Sequence, residues 1–188
     1  MNLPNAITLS RLVVTAATFV CLELIEDGAK PDLRLMWWAF GLFLVAACTD
    51  FLDGYFARKW NMVTAFGRVA DPFADKVLIA GSFVLLLKFP AATAVMPYWY
   101  VVVVLAREFL VTAVRGVVEA SGRPFPADKL GKWKMVTQCW TAASLMMIVA
   151  GCDGWMPLTV AGLWLSFALT VISGVNYVIK ARDVLFAR

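Results

Sequence analysis

Apolar residues fill six long stretches of this chain, separated by short segments in which charged residues, glycine and proline collect. Each stretch is close to or longer than the roughly 20 residues that an α-helix needs to cross the hydrocarbon core of a bilayer. The first stretch ends in acidic residues without a small-residue cleavage pattern, so we expect a retained span rather than a signal peptide. The pattern predicts an all-α, polytopic membrane protein with six transmembrane helices, at residues 7–26, 36–58, 67–88, 95–118, 134–151 and 157–180.

Composition agrees with this pattern. The chain is 62% hydrophobic and 16% charged, whereas soluble domains are about 45–50% apolar and roughly 25% charged. Its 188 residues suit one domain, so we predict a single membrane domain over residues 1–188. The absence of histidine excludes imidazole–metal and histidine general-base chemistry. The four cysteines have no CxxC spacing and are expected to be free, apolar thiols.

Basic residues are distributed unequally between the two sides of the predicted bundle. Six spans put both termini on one side, and 14 of the 17 Lys and Arg residues fall on that side or at membrane edges facing it. Because cytoplasmic loops are enriched in Lys and Arg, we predict that both termini are cytoplasmic. An interfacial aromatic belt is expected on the opposite side, formed by Trp37, Trp38, Tyr98, Trp99, Tyr100 and Trp155.

Four aspartates lie in the second and third predicted spans, where ionised side chains are costly and usually mark function. Asp50 and Asp53 are one helical turn apart, and Asp71 and Asp75 are four residues apart on the next helix. The short connection makes the two helices antiparallel neighbours, so the pairs can converge in the cytoplasmic half. Four carboxylates without histidine form a hard-oxygen site that suits Mg²⁺, Mn²⁺ or Ca²⁺. Two bridged ions would suit phosphoryl transfer.

Small residues accompany these acids. Gly54 follows the second acid directly, and Gly67 lies one turn before the third. Without side chains they leave space for a bulky nucleotide against the backbone. Ala57 continues this small surface, and Arg58 offers a fixed positive charge to a phosphate or a carboxylate.

Two other interpretations of the acids are open. They could form structural ion pairs with Arg58, Arg68 and Lys76. They could also form the site of a divalent-cation transporter, although the paired repeats and interrupted helices typical of transporters are not visible in the sequence.

The segment from residue 50 to residue 75 reads DFLDGYFARKWNMVTAFGRVADPFAD. It matches D-x2-D-G-x2-A-R-x8-G-x3-D-x3-D at every fixed position and resembles the signature of the CDP-alcohol phosphotransferase family. The resemblance implies transfer from a CDP-linked donor to a hydroxyl acceptor with release of CMP, a Mg²⁺ or Mn²⁺ cofactor, and a homodimer. It implies that Asp50, Asp53 and Asp71 are metal ligands and that Asp75 is a metal ligand, a general base, or both. It also implies contacts to the CDP moiety from Asp53, Gly54, Ala57, Arg58 and Gly67.

Three segments outside this signature bear on the acceptor. LPNAITLSR (3–11), REFLVTAVR (107–115) and GKWKMVTQ (131–138) resemble the phosphatidylglycerophosphate synthase subfamily. That resemblance implies transfer of phosphatidyl from CDP-diacylglycerol to sn-glycerol 3-phosphate, with serine or inositol phosphate as alternative acceptors. We expect a multi-pass protein of the cell inner membrane whose active site faces the cytoplasm, in line with the predicted orientation. An organelle membrane is the alternative, and the lack of a transit-like extension favours the bacterial membrane. Membrane lipids are then its surroundings, and no nucleic-acid partner is expected.

An acceptor that carries its own phosphate requires cations beyond the metals. Arg107 and Arg115 lie about 80° apart around the fourth span, and Lys132 and Lys134 enter the fifth span at the same membrane surface. We expect these four residues to bind the acceptor phosphate. Alternatively, the lysines anchor the chain to anionic lipid heads, and Glu108 pairs with Arg107 in a purely structural role.

The beginning of the chain presents polar residues at helical spacing. Asn5, Thr8 and Arg11 recur every three residues before the first span, and Pro4 suits the start of a helix. The family resemblance implies that this segment lies beside the nucleotide, with Asn5 and Thr8 in contact with CDP. The alternative is an interfacial anchor.

Overall fold

A computed structural model describes residues 3–26, 32–60, 65–122 and 129–185 of the chain. Within these ranges it describes every side chain except those of residues 3–7, 50–60, 65–69, 71, 72, 129, 184 and 185. Helices are the only regular structure in these ranges, which confirms the predicted all-α class. In chain order the helices are α1 (Leu3–Leu24), α2 (Leu33–Trp60), α3 (Ala65–Leu86), α4 (Pro90–Thr93), α5 (Tyr98–Ala120), α6 (Lys129–Val149) and α7 (Met156–Leu185).

The six long helices each correspond to one predicted apolar stretch, but several extend beyond it. α1 begins at Leu3, α6 begins at Lys129, and α7 continues to Leu185, four to five residues past the predicted limits. Hydropathy marks only the part of a helix that lies in hydrocarbon, whereas backbone hydrogen bonding continues into its polar ends. The predicted break before α6 was therefore too long, and the first span was predicted to begin too late.

Prolines set the connection between α3 and α5, where the structure contains a short helix that hydropathy did not predict. Pro90 occupies the first turn of α4 after the extended residue Phe89. Pro97, with φ −70° and ψ 150°, precedes the first residue of α5. Because proline has no backbone N–H and its ring excludes a preceding helical turn, helices begin at such positions. α5 consequently begins at Tyr98, three residues later than predicted.

The long helices pack in two groups that share a core. α1 packs against α2 and α3, α7 packs against α5 and α6, and α3 and α6 join the two groups. The core is apolar at its centre, where Phe43, Phe83, Leu145 and Met146 are fully buried. The helix α3 therefore touches both α1 and α5, which decides where its acidic residues lie relative to the rest of the molecule.

Hydroxyl groups connect α7 to its neighbours. Gln138 Nε2 on α6 donates to Thr170 Oγ1 at 3.0 Å, and the Tyr100 hydroxyl on α5 lies 2.6 Å from Ser166 Oγ. Hydrogen bonds of this kind hold helices together where the surroundings are apolar. Tyr100 is fully buried, so its predicted place in the interfacial belt was wrong. The first turn of α5 directs Tyr98 and Trp99 outward and turns Tyr100 into the core.

By length and composition alone, one helix in the described ranges suffices to cross a membrane. It covers Asp153–Asp183 and has a mean hydropathy of 1.9, and a shorter apolar helix covers Leu33–Thr49. The other long helices carry charged residues among their apolar ones, such as Arg107 and Glu108 in the middle of α5. These charges lower the mean hydropathy of the segments that contain them. The predicted arrangement of six membrane spans therefore stays a prediction.

Candidate active site

The four aspartates of the signature lie on α2 and α3, at matching distances from the connection between these helices. Asp53 lies seven residues before the end of α2, and Asp71 lies six residues after the beginning of α3, so each is about 10 Å along its helix. Asp50 and Asp75 each lie ten residues from the same ends, or about 15 Å. Because α2 and α3 contact each other, the backbone is compatible with the predicted convergence of the two pairs.

Most of the residues predicted to hold the metal or the nucleotide lie outside the described side chains. This applies to Asn5, Asp50, Asp53, Gly54, Ala57, Arg58, Gly67 and Asp71, whose roles stay predictions. Among the side chains that are described, no group of three or more acidic or cysteine residues could hold a metal. Three of the four predicted ligands are not in that set. Four carboxylates and no histidine remain a donor set that fits a hard divalent cation.

Asp75 is the signature acid whose contacts are described, and it is paired with Arg11 on α1. Arg11 Nη1 donates to Asp75 Oδ1 at 2.7 Å. The arginine side chain is 1% exposed and the aspartate side chain 25% exposed. A charge-assisted hydrogen bond from a buried guanidinium fixes the direction of the carboxylate. Helical spacing in the sequence predicts the face of α1 that carries Arg11, but it does not identify Arg11 and Asp75 as partners.

The α1 face that carries Arg11 is polar and buried for two more turns. Thr8, Arg11, Thr15 and Thr18 are all buried, at the spacing of one helical stripe. Thr8 therefore lies on the same face as the partner of Asp75, as its predicted position beside the nucleotide requires. The segment predicted to precede the first span is the beginning of α1 itself.

Lys76 connects the acidic helix to α5. Its ammonium group donates to Thr112 Oγ1, and the Thr112 hydroxyl donates to the backbone oxygen of Glu108 at 2.7 Å. The residue that follows Asp75 thus lies against α5 one turn after Glu108. This link puts the acidic site and the basic residues of α5 at the same level of the bundle. One alternative was that Lys76 forms an ion pair with the aspartates. The described contact of Lys76 is with Thr112 instead.

A cationic cluster surrounds Glu108. Arg107 Nη1 lies 3.1 Å from Glu108 Oε1, and Lys134 on α6 donates to the same oxygen. The three side chains are between 8% and 12% exposed. The predicted pairing of Glu108 with Arg107 is confirmed, and the structure adds Lys134 to the pair. One carboxylate balances only one of the two cations, so the group keeps a positive charge.

Arg115 joins this cluster through Tyr177 on α7. Its Nη2 donates to the tyrosine hydroxyl at 3.2 Å. The guanidinium carbons of Arg107 and Arg115 lie 5.6 Å and 6.0 Å from the centroid of the Tyr177 ring. The two arginines therefore lie around one aromatic ring, and their predicted binding of the acceptor phosphate stays a prediction. Lys132, two residues from Lys134, is exposed and points to another side of α6, so its predicted role is not supported by proximity to the cluster.

Two donors of this cluster find no acceptor within the described part of the chain. The Nε atoms of Arg107 and Arg115 are both buried, and each is without a hydrogen-bond partner there. Leaving a buried charged donor unsatisfied is costly. An anion with several oxygens would satisfy such donors, and arginine binds phosphate through donors arranged in a planar fork. The cluster is therefore chemically suited to a phosphate group.

The residues of α7 around the arginines were not identified from the sequence. Ser173, Gly174 and Tyr177 lie in the last predicted span, which reads as an ordinary apolar helix with scattered hydroxyl groups. A signal was present: Ser166, Thr170, Ser173 and Tyr177 recur at intervals of three or four residues. That stripe marks one polar helical face, but it does not reveal which cations the face contacts.

Comparison with known proteins gives consistent results. The model of the CDP-alcohol phosphatidyltransferase family matches residues 1–172. A Bacillus subtilis protein named CDP-diacylglycerol--glycerol-3-phosphate 3-phosphatidyltransferase is 35% identical over 198 residues, covering 98% of this chain and 97% of the relative. A Rickettsia felis protein of the same name is 34% identical and covers 94% of this chain and 93% of its own. A Mycobacterium tuberculosis protein named probable phosphatidylglycerophosphate synthase is 36% identical, and the alignment covers 97% of this chain and 83% of the relative.

The family match includes both helices of the acidic signature, α1, α5 and α6, and α7 as far as residue 172. Since the relatives also align along nearly the whole chain, the resemblance that the signature suggested extends to the complete bundle. The protein belongs to the CDP-alcohol phosphatidyltransferase family.

Proposed function

We propose that this protein transfers the phosphatidyl group of CDP-diacylglycerol to sn-glycerol 3-phosphate and releases phosphatidylglycerophosphate and CMP. The names of its relatives support the reaction. The observation that carries the choice of acceptor is the cationic cluster of Arg107, Arg115 and Lys134, linked through Thr112 to the residue beside Asp75. A phosphorylated acceptor fits this positive charge and serine does not, since serine carries no phosphate. Inositol phosphate would fit as well, and the relatives' names favour glycerol 3-phosphate over it.

The acceptor is held at both of its ends in this scheme. The guanidinium groups of Arg107 and Arg115 bind its phosphate, and Lys134 adds positive charge. Asp75, directed by Arg11, accepts the proton of the primary hydroxyl. The hydroxyl oxygen forms a bond to the lipid-side phosphorus as the bond from that phosphorus to the CMP oxygen breaks. We favour direct displacement over a covalent intermediate, because no serine, cysteine or histidine in the sequence is an obvious nucleophile.

The donor binds against α1, α2 and α3 in this proposal. Divalent metal, Mg²⁺ or Mn²⁺, would be held by Asp50, Asp53, Asp71 and Asp75 and would neutralise the charge of the pyrophosphate. Thr8 lies on the same helical face as Arg11, which supports a nucleotide site at the beginning of α1. Contacts to CDP come from Asn5, Thr8, Asp53, Gly54, Ala57, Arg58 and Gly67.

The protein functions in a membrane in this proposal. Its long helices expose large apolar side chains such as Val13, Val102, Phe109 and Ile179. An apolar outer surface of this extent suits lipid better than water. We infer six spans, both termini in the cytoplasm, and a site that opens toward the cytoplasm from a bacterial inner membrane. A homodimer in that membrane is part of the proposal.

The test is an acceptor comparison with the purified protein in lipid nanodiscs. CDP-diacylglycerol and Mg²⁺ or Mn²⁺ are supplied with labelled glycerol 3-phosphate, inositol phosphate or serine, and lipid product and CMP are measured. We expect one CMP for each labelled phosphatidylglycerophosphate, and little product with the other two acceptors. Asp75→Asn protein gives the background. Faster product formation from inositol phosphate or serine would reject the acceptor assignment.

A further inference from the structure

We propose that Ser173, Gly174 and Tyr177 on α7 are positioning residues, which hold Arg107 and Arg115 in place for the phosphate of the acceptor. The inference rests on the proposed function, and it adds a third helix to the acceptor site. None of these α7 residues belongs to the acidic signature or to the basic segments from which the acceptor site was predicted.

Arg107 is held by α7 along its whole length. Its Nη2 donates to Ser173 Oγ at 3.0 Å, and its guanidinium carbon lies 5.6 Å from the centroid of the Tyr177 ring. The aliphatic part crosses Gly174 so closely that a Cβ atom on this glycine would lie 3.2 Å from Arg107 Cγ. A side chain at position 174 would therefore displace the arginine, which gives the glycine a specific role in its placement.

Tyr177 connects the two arginines. Arg107 and Arg115 are eight residues apart on α5, or about 12 Å along the helix axis. The ring of Tyr177 nevertheless contacts both guanidinium groups, and its hydroxyl accepts a hydrogen bond from Arg115. One buried side chain thus sets the relative position of two cations that would otherwise be independent.

The chemical nature of these partners preserves the charge of the site. A carboxylate would orient an arginine but would also neutralise it, whereas a hydroxyl and an aromatic ring orient the guanidinium without adding negative charge. The three cations of the cluster outnumber the single carboxylate of Glu108, and Lys76 adds another positive charge one helical turn away. A phosphate monoester carries about −1.5 to −2 charges at neutral pH. Neutral partners on α7 therefore keep the cluster positive for such an anion.

Positioning has a distinct kinetic consequence. Arginine side chains lose considerable rotamer freedom when they are ordered. If α7 orders them during folding, the acceptor does not have to order them on binding, and its affinity increases. Loss of the α7 contacts should therefore raise the KM for glycerol 3-phosphate. The KM for CDP-diacylglycerol and the value of kcat should remain unchanged, since neither depends on these arginines.

The test compares Tyr177→Phe with Tyr100→Phe. Both variants remove one buried hydroxyl from the α5–α7 interface, but the Tyr100 hydroxyl bonds Ser166 and contacts neither arginine. We expect Tyr177→Phe to raise the KM for glycerol 3-phosphate about 5-fold, as the loss of one hydrogen bond implies. We expect Tyr100→Phe to leave both KM values unchanged. Ser173→Ala removes the hydrogen bond to Arg107 together with one to the backbone oxygen of Thr170 within α7, and it should also raise only the acceptor KM.

A binding measurement separates this inference from the proposed function. Inorganic phosphate is titrated into the wild-type protein and into the Tyr177→Phe and Ser173→Ala variants, in the absence of any nucleotide lipid. We expect weaker phosphate binding in both variants, whichever alcohol the enzyme uses. Wild-type protein that makes no phosphatidylglycerophosphate would reject the proposed function. Unchanged phosphate binding and unchanged acceptor KM in both variants, or equal effects of Tyr100→Phe, would reject the positioning role.

Discussion

Arg11 and Asp75 form an ion pair between α1 and α3, with 2.7 Å between Nη1 and Oδ1. The pair joins the beginning of the chain to the last acid of the signature, across 64 residues of sequence. Because the arginine is almost completely buried, the packing of α1 contributes to the direction of the Asp75 carboxylate. The first turns of the chain are therefore part of the site.

The first prediction concerns this pair. Arg11→Lys keeps the positive charge but loses the planar, forked donor group that matches a carboxylate, so Asp75 should be misdirected. We expect kcat to fall about 100-fold, as a displacement of a reacting group by about 1 Å can produce. Steady-state kinetics at saturating concentrations of both substrates measure this effect.

The exposed pair of Arg182 and Asp183 provides a matched control. Its side chains are 71% and 75% exposed, and exposed pairs of this kind contribute little. Arg182→Lys should have wild-type kcat. If Arg11→Lys also retains wild-type kcat, the orienting role of Arg11 is wrong.

The second prediction concerns Glu108, whose carboxylate is shared by Arg107 and Lys134. Glu108→Gln leaves two buried cations close together without a negative charge between them, which should destabilise the protein. Bound glycerol 3-phosphate would supply the missing negative charge. We expect a lower Tm than wild type without the acceptor, and a larger rise in Tm on adding it.

Glu119→Gln is the control for this experiment. Glu119 is exposed on the same helix, so its neutralisation should alter neither the Tm nor the response to glycerol 3-phosphate. A Glu108→Gln protein that is as stable as wild type would show that the carboxylate is not needed to hold the two cations together.

The third prediction concerns the space at Gly174. Gly174→Ala introduces a Cβ that would meet Arg107 Cγ at 3.2 Å, so the arginine must shift. We expect the KM for glycerol 3-phosphate to rise, while helix formation itself becomes more favourable by about 1 kcal/mol. Gly116→Ala on α5 is the matched control, because nothing lies within 4 Å of its added Cβ. Equal acceptor KM values in the two variants would contradict a role for Gly174 in placing Arg107.

The fourth prediction concerns the metal. Removal of divalent ions with a chelator should abolish CMP release, and Mg²⁺ or Mn²⁺ should restore it, because the carboxylate set is expected to hold the ion that neutralises the pyrophosphate. Asp53→Asn should stay inactive at any metal concentration. Asp153→Asn, at an exposed acid beside the beginning of α7, should retain both activity and metal dependence. Activity in the chelated wild-type protein would exclude the proposed metal role.

The sequence by itself determined the helical class, the number of long helices, and the residue types of the site. These depend on local information: the length of an apolar stretch, the position of a proline, and the spacing of Asp50, Asp53, Asp71 and Asp75 within one signature. The sequence also indicated a functional role for Arg107, since a charged side chain within an apolar helix is costly and usually marks function. Hydropathy alone misplaced the beginning of α5, because Pro97 makes the helix begin at Tyr98 although the apolar stretch begins at residue 95.

Only the tertiary structure decided which side chains meet. Arg11 with Asp75, Lys134 with Glu108, and Tyr177 with two arginines are contacts between helices that are far apart in the sequence. Periodicity identifies the buried face of a helix but not the helix that covers it, because that depends on how all six long helices pack together. For the same reason Tyr100, an aromatic residue at a predicted membrane edge, was found in the core.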